Sequence, residues 1–183
     1  MSNSLRIIGG EWRSRQIAFD DAPGLRPTPA RVRETLFNWL QADVAGSCCL
    51  DLYAGSGALG FEAASRGAKH VLQVERNPEV CQKLHSNIAK LAAQQIQVQQ
   101  ADVSQFLHGP AQSFNLVFLD PPFAQNLLAP SCALLEDKGW LAPYAKIYLE
   151  AERGLALDAL PVNWQCLKHK TAGEVSYYLF QNN

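Results

Sequence analysis

The segment Gly55-Ser-Gly57-Ala-Leu-Gly60 limits what this chain can become more than any other. It follows the apolar run Cys48-Cys-Leu-Asp-Leu-Tyr53, which reads as a short buried strand, and it opens a helical stretch over 57–67 that Gly67 closes. Glycines in a G-x-G-x-x-G pattern let the backbone turn sharply from strand to helix and let a ligand approach the helix N-terminus. The following residues repeat the unit. His70-Val-Leu-Gln-Val-Glu75 is a second strand, and Asn77-Pro78 starts a helix whose stripe is Val80, Leu84, Asn87, Ile88 and Leu91. Ile96 and Val98 alternate with glutamines, as in a strand near a sheet edge. Phe114-Asn-Leu-Val-Phe-Leu119 is almost continuously apolar and fits a strand buried on both faces. A helix over 126–136 and a strand over 145–150 continue the series, and strand-like runs over 164–169 and 174–181 flank the turn Lys170-Thr-Ala-Gly173. The pattern predicts an α/β fold: a doubly wound, mostly parallel sheet with helices on both faces, ending in an antiparallel hairpin.

A separate segment precedes this series. Leu5-Arg-Ile-Ile8, Gly9-Gly10 and Trp12 to Phe19 read as a small hairpin, followed by a loop over 20–27. Thr28-Pro29 then opens a helix, with Thr28 as N-cap, Pro29 as first residue, and Val32, Leu36, Trp39 and Leu40 as the apolar face. The division expected is a hairpin extension over 1–27 and one domain over 28–183. Charge follows the same division. The formal net charge of −1 argues against a protein that coats nucleic acid, but residues 1–40 hold six arginines and four acids, whereas 41–183 hold ten bases and thirteen acids. No apolar run is long enough for a membrane span, and the first residues have no signal-peptide core. Five cysteines without a C-x-x-C argue against a disulfide framework or a zinc site and fit a reducing cytoplasm. The four histidines have no ligand or triad spacing, no metal is expected, and nothing demands more than a monomer.

The glycine loop alone does not separate a nicotinamide dinucleotide from S-adenosylmethionine. Glu75, at the end of the second strand, suits ribose hydroxyls in either case. Asp51 favours the second reading: a carboxylate four residues before Gly55 would repel a pyrophosphate and suit an ammonium and a sulfonium. The alternative for Asp51 is a cap on the turn. Asp102, after the third strand, either accepts from an adenine amine or caps the next helix. Three acids after three successive strands lie where open parallel sheets bind ligands.

Asp120-Pro-Pro-Phe123 follows the most apolar strand. Two prolines stiffen the backbone and remove two N–H donors, so the segment offers acceptors and the flat face of Phe123. A planar base with an exocyclic amine would donate to Asp120 and the Pro121 carbonyl and stack on Phe123. The bland alternative is a Pro-Pro loop with a capping Asp.

Asp51-Leu-Tyr-Ala-Gly-Ser-Gly57 together with Asp120-Pro-Pro-Phe123 resembles the Rossmann-like, S-adenosylmethionine-dependent amino-methyltransferases. Arg6-Ile-Ile-Gly-Gly10, Leu25-Arg-Pro-Thr28 and Arg31-Val-Arg-Glu-Thr-Leu-Phe-Asn38 narrow the resemblance to the bacterial RsmD family, which methylates the N2 amine of a guanine in 16S ribosomal RNA. The resemblance covers nearly the whole chain. It implies a seven-stranded sheet, with Arg26 and Thr28 near the methionine end of the cofactor, Gly55, Ser56 and Gly57 lining it, Glu75 on the ribose and Asp102 on the adenine. It implies that Asp120, Pro121, Pro122 and Phe123 hold the guanine, that Arg6, Arg13 and Arg15 contact RNA, and that the substrate is 16S rRNA within the small subunit. Family members usually carry an acid where this chain has Ala30, so position 30 receives no role. Methyl transfer is expected to be direct and in line, without a covalent intermediate, with positioning supplying about 7–11 kcal/mol of the acceleration. The rival readings are an amino-methyltransferase of DNA adenine or protein glutamine, which often carries Asn at the position of Asp120, a nucleotide-dependent oxidoreductase, and a non-catalytic adenosine-binding protein.

Overall fold

A computed structural model of the chain describes residues 2–183; Met1, where the expected extension begins, lies outside the described residues. A two-stranded antiparallel hairpin, β1 (Ser2–Arg6) and β2 (Gln16–Asp20), precedes α1 (Ala30–Trp39). The sheet strands and helices then alternate: β3 (Cys48–Leu52), α2 (Ala58–Ser65), β4 (His70–Glu75), α3 (Pro78–Leu91), β5 (Ile96–Gln100), α4 (Val103–Leu107), β6 (Phe114–Leu119), α5 (Leu128–Asp137) and β7 (Leu141–Glu152). The hairpin β8 (Trp164–Ala172) and β9 (Val175–Asn182) completes a seven-stranded sheet of order β5-β4-β3-β6-β7-β9-β8. The first five strands in that order are parallel, and β9 is antiparallel to both neighbours.

Burial explains the composition of each strand. The apolar residues of α1, α2 and α3 cover one face of the sheet, and those of α4 and α5 cover the other. β6 lies between β3 and β7 under both layers, which is why it is apolar nearly throughout; β5 lies at the edge, which is why it alternates. The chain proceeds from β3 outward through β4 and β5, then returns to lay β6 on the other side of β3. This reversal opens a crevice at the carboxyl ends of β3 and β6.

The hairpin shares the main core. Ile7, Trp12 and Ile17 are buried in the cluster formed by α1, α2 and α3. Glu62 of α2, fully buried, joins the parts: it accepts from the backbone N–H groups of Ile8 (3.1 Å) and Gly9 (2.9 Å) and pairs with Arg66 (3.0 Å) and Arg33 (3.5 Å). Arg33 also donates to the carbonyls of Thr28 (3.1 Å) and Arg6 (3.0 Å).

Four sequence expectations need correction. The turn of the last hairpin is Gly173-Glu174, not Lys170 to Gly173, because β8 continues through Ala172. Thr28 is not the N-cap of α1: that position is Pro29, in extended geometry at ψ 149°, and the Thr28 carbonyl is instead held by Arg33. The buried face of α1 includes Arg33 and Phe37, while Trp39 is half-buried and stacks on Tyr177 of β9. β3 stops at Leu52, because Tyr53 turns to a left-handed φ of 58° at the start of the glycine loop. Among the described residues no helix is long and apolar enough to cross a membrane, and the cysteines are free.

Candidate active site

The glycine loop is assembled by acids. Glu75, ending β4, accepts from the backbone N–H of Gly55 (3.0 Å) and of Asn77 (2.9 Å), so it ties the loop to the start of α3. Asp51, buried on β3, accepts from the N–H of Gly60 (3.1 Å) and from Gln73 Nε2 (3.2 Å). Gly57 begins α2 at φ 77°, and a Cβ there would come within 2.6 Å of Leu84, 2.8 Å of Phe61 and 2.9 Å of Gln73. Any side chain at position 57 would therefore force the turn open. Ser56 is buried, and its Oγ accepts from the N–H of Ala58 (3.3 Å).

The loop over 20–27 crosses this turn. Leu25 lies against Gly55, and a cleft lined by Phe19, Leu25, Gly55, Ser56, Asn77 and Val80 runs between the end of β2 and the start of α3. Arg26 is exposed beside it and Thr28 is buried. Asp102 is exposed, and its Oδ1 accepts from the N–H of Gln105 (3.2 Å), so it caps α4.

Asp120 leaves β6 at the other side of the crevice. Pro121 is buried, Pro122 is half-buried, and Phe123 projects with 43% exposure. The loop that follows is held in shape: Ala124 and Asn126 have left-handed φ values of 62° and 53°, and the Ala124 N–H donates to Glu152 Oε1 (2.7 Å) on β7. The site also contains residues that the sequence reading did not single out. Leu119 pairs with Leu149, so Asp120 lies beside Glu150, which is 7% exposed and accepts from the hydroxyl of Tyr148 (2.8 Å). Glu150 follows the rule that drew attention to Asp51, Glu75 and Asp102, since it is an acid near the carboxyl end of a parallel strand. That position is the signal that could have found it.

Electrostatics couples these groups. Burial pushes the Asp120 carboxyl well above the ordinary carboxylate range, and Glu150 and then Asp51 push it further. Burial likewise raises Asp51 to about 7, opposed by its hydrogen bonds from Gln73 and Gly60 and assisted by Glu75. The Tyr148 hydroxyl is raised by burial and by Glu150. Among the described residues the ion pairs are Arg33–Glu62, Arg66–Glu62, Lys83–Asp20 and Lys146–Asp43, so none of Asp51, Glu75, Asp120 and Glu150 is in an ion pair. Gln73 Oε1, buried below the loop, is a further acceptor without a donor.

A pH dependence follows. Asp51 holds a proton in the folded chain at pH values where the unfolded chain, with a carboxyl pKa of about 3.9, has lost it. The folded state therefore binds more protons, and its stability falls as pH rises through the window from about 4 to 7, by about 1.4 kcal/mol per pH unit. Urea midpoints at pH 5 and pH 7.5 should show this decline, and Asp51→Asn should reduce it, with Asp120 supplying the remainder. An equal decline in the variant would assign the effect to other groups.

The structure does not bring all the expected residues together. Asp51, Gly55 to Gly57, Glu75 and Asp120 surround one crevice. Arg13 and Arg15 lie elsewhere. Trp12 is tied to Ser65 at the end of α2 (2.9 Å), and Arg15 donates to the carbonyl of Lys90 in the last turn of α3 (3.2 Å). Both helices start at the crevice and run back to the amino ends of the parallel strands. Arg6, paired with Gln16, is at the same end of the hairpin.

Comparison with known proteins fits this arrangement. A family model described as Conserved hypothetical protein 95 matches residues 5–181. Ribosomal RNA small subunit methyltransferase D of Escherichia coli K12 is 47% identical over 180 residues, covering 98% of this chain and 91% of that protein. The Haemophilus influenzae protein of the same name is 46% identical, covering 97% and 94%. The solved structure of Escherichia coli yhhF superposes with a TM-score of 0.93 at 46% identity, covering 99% of each chain. The structure of a hypothetical protein from Thermus thermophilus gives 0.77 at 30% identity, covering 96% of this chain and 98% of that one. With a matching model over residues 5–181 and relatives of this similarity, the chain belongs to the Conserved hypothetical protein 95 family, the RsmD family that its glycine loop and Asp-Pro-Pro-Phe segment resemble.

Proposed function

We propose that the chain transfers a methyl group from S-adenosylmethionine to the exocyclic N2 amine of a guanine in 16S rRNA of the small ribosomal subunit, as a cytoplasmic monomer. The observation that carries this reading is the set of acids at the carboxyl ends of β3, β4, β6 and β7, converging on the crevice with none of them in an ion pair. A pyrophosphate would be repelled there; an ammonium, a sulfonium or an amine N–H would be welcomed. The names of the similar proteins point to ribosomal RNA.

The donor set fits S-adenosylmethionine. Asp51 and the loop Gly55 to Gly57 would meet its amino-acid end together with Arg26 and Thr28, Glu75 its ribose, and Asp102 its adenine. When bound, it supplies an electrophilic methyl on a good leaving group. The chain's own residues position the acceptor. Asp120 and the Pro121 carbonyl accept the two N–H groups of the amine, Phe123 stacks on the base, and the nitrogen lone pair is left facing the crevice. Burial beside Glu150 raises the proton affinity of Asp120, so in its ionised form it takes up the amine's proton more readily than an ordinary carboxylate would. Transfer is direct, and no side chain is methylated on the way.

Calorimetric titration with S-adenosylmethionine and with NADH, followed by tritiated methyl transfer to small subunits, naked 16S rRNA and DNA, tests the reading. Binding of the first ligand alone and labelling of guanine N2 are expected. Labelling of adenine N6 in DNA, or of a protein glutamine, would replace the substrate; binding of NADH instead would replace the reaction class.

A further inference from the structure

The hairpin arginines lie toward the amino ends of the parallel strands, away from Asp120 at a carboxyl end. A second set of cations lies much nearer, and it is fixed by strand register. Glu150, beside Asp120, pairs with Tyr177 of β9, and Tyr177 pairs with Lys170 of β8. One cross-strand row therefore reads Asp120, Glu150, Tyr177, Lys170, spanning three strand spacings, or about 14 Å. The row behind it reads Phe118, Tyr148, Leu179, Lys168. Directly paired residues point to the same face of a sheet. Tyr177 and Leu179 both belong to the core on the α1 side, so Lys168 and Lys170 point to that side as well, the side toward which Asp120 and Glu150 project. The His169 and Tyr178 rings, stacked 4.2 Å apart and parallel, lie on the other face and show that the pairing is in register. Arg153 stands at the same edge of the sheet as Asp120, where its N–H and Nη1 meet the carbonyls of Glu174 and Gly173 (2.8 and 3.4 Å) at the tip of the β8–β9 turn.

β8 is exposed along its length after Trp164, contains no acid, and has one edge unpaired. Neither lysine has an ion pair among the described residues. Lysines on an edge strand also deter edge-to-edge association. That role alone would not require two of them on the active-site face, one in the row of Asp120 and one in the row behind it.

We propose that Lys168 and Lys170 form a phosphate-contact track for RNA, which fixes the backbone flanking the base that enters the Asp120 pocket. The proposal rests on the functional reading above and adds to it the surface on which the substrate docks. Lysine suits this task as a point charge that binds phosphate without reading sequence. Arg6, Arg13 and Arg15, if they touch RNA, reach a different part of the folded substrate.

The test compares wild type, K168A/K170A, K168R/K170R and R13A/R15A as full chains, with methyl transfer to small subunits measured over a range of salt. For K168A/K170A, KM should rise about tenfold or more at physiological salt, and the slope of log KM against log salt should fall by about 2, about one per lysine. Affinity for S-adenosylmethionine and the urea midpoint should stay unchanged, and K168R/K170R should restore KM. An unchanged KM and slope in K168A/K170A would overturn the proposal; if R13A/R15A shifted them instead, the hairpin would be the docking surface. A wild type that binds S-adenosylmethionine but labels only DNA or protein would remove the functional reading and this inference with it, whereas an active wild type with an indifferent double variant removes the inference alone.

Discussion

The Asp120→Ala variant is expected to lose methyl transfer by a factor of about 10² to 10⁴, the range for removing a positioned acid–base group, while S-adenosylmethionine still binds. The reasoning is local. Asp120 stands at the end of β6, across the crevice from the glycine loop, and its nearest charged companion is Glu150 on β7. Removing its carboxylate leaves the Asp51, Glu75 and loop contacts in place but deprives the amine of its acceptor and its alignment. Asp120→Asn sharpens the point. It keeps the shape and one acceptor oxygen and loses the ability to take a proton. It also removes one member of a crowded pair of carboxyls, so the urea midpoint at pH 7 should rise while turnover falls, the trade expected where a site is strained for function. Turnover near wild type in either variant would remove Asp120 from the chemistry. A fall in cofactor affinity matching the fall in rate would make it a cofactor ligand instead.

The largest expected loss of stability is at Glu62. Glu62→Ala strands the buried Arg33 guanidinium and two backbone N–H groups, Ile8 and Gly9. Breaking a buried pair from one side costs about 3–5 kcal/mol, which is a large share of the whole stability of a domain this size. Chemical denaturation should read that loss directly. Adding Arg33→Met to Glu62→Leu should recover part of it, since an apolar replacement leaves no charge without a partner. If the double variant is destabilised by the sum of the two single changes, the ion pair is not what holds the hairpin to α2.

The same residues show what can be read from the chain. The glycine loop, Asp51, Glu75 and Asp120 are legible because each belongs to a local unit, a strand end and the turn after it, whose geometry follows from neighbouring residues. Glu150 is legible only as an acid near a strand end; its partnership with Asp120, thirty positions earlier, arises only once β7 pairs with β6. Thr28 resembles a cap in the sequence because the competing partner for its carbonyl is a side chain facing inward from α1, and a buried arginine there depends on Glu62 from a different helix. The location of the hairpin arginines is equally out of reach. It depends on which way Trp12 and Ile17 dock on α2 and α3, and either direction would satisfy the same apolar pattern.

The place of β9 in the sheet bears on how the enzyme is made. β9 comes later in the chain than β8, yet it lies between β7 and β8 and supplies Tyr177, which stacks on Trp39 and pairs with Glu150. A nascent chain halted before residue 175 would already possess its glycine loop and Asp120, but β8 would have no neighbour and the wall behind Glu150 would be missing. The wall behind Glu150 is therefore completed only by the last strand of the sheet to be synthesised.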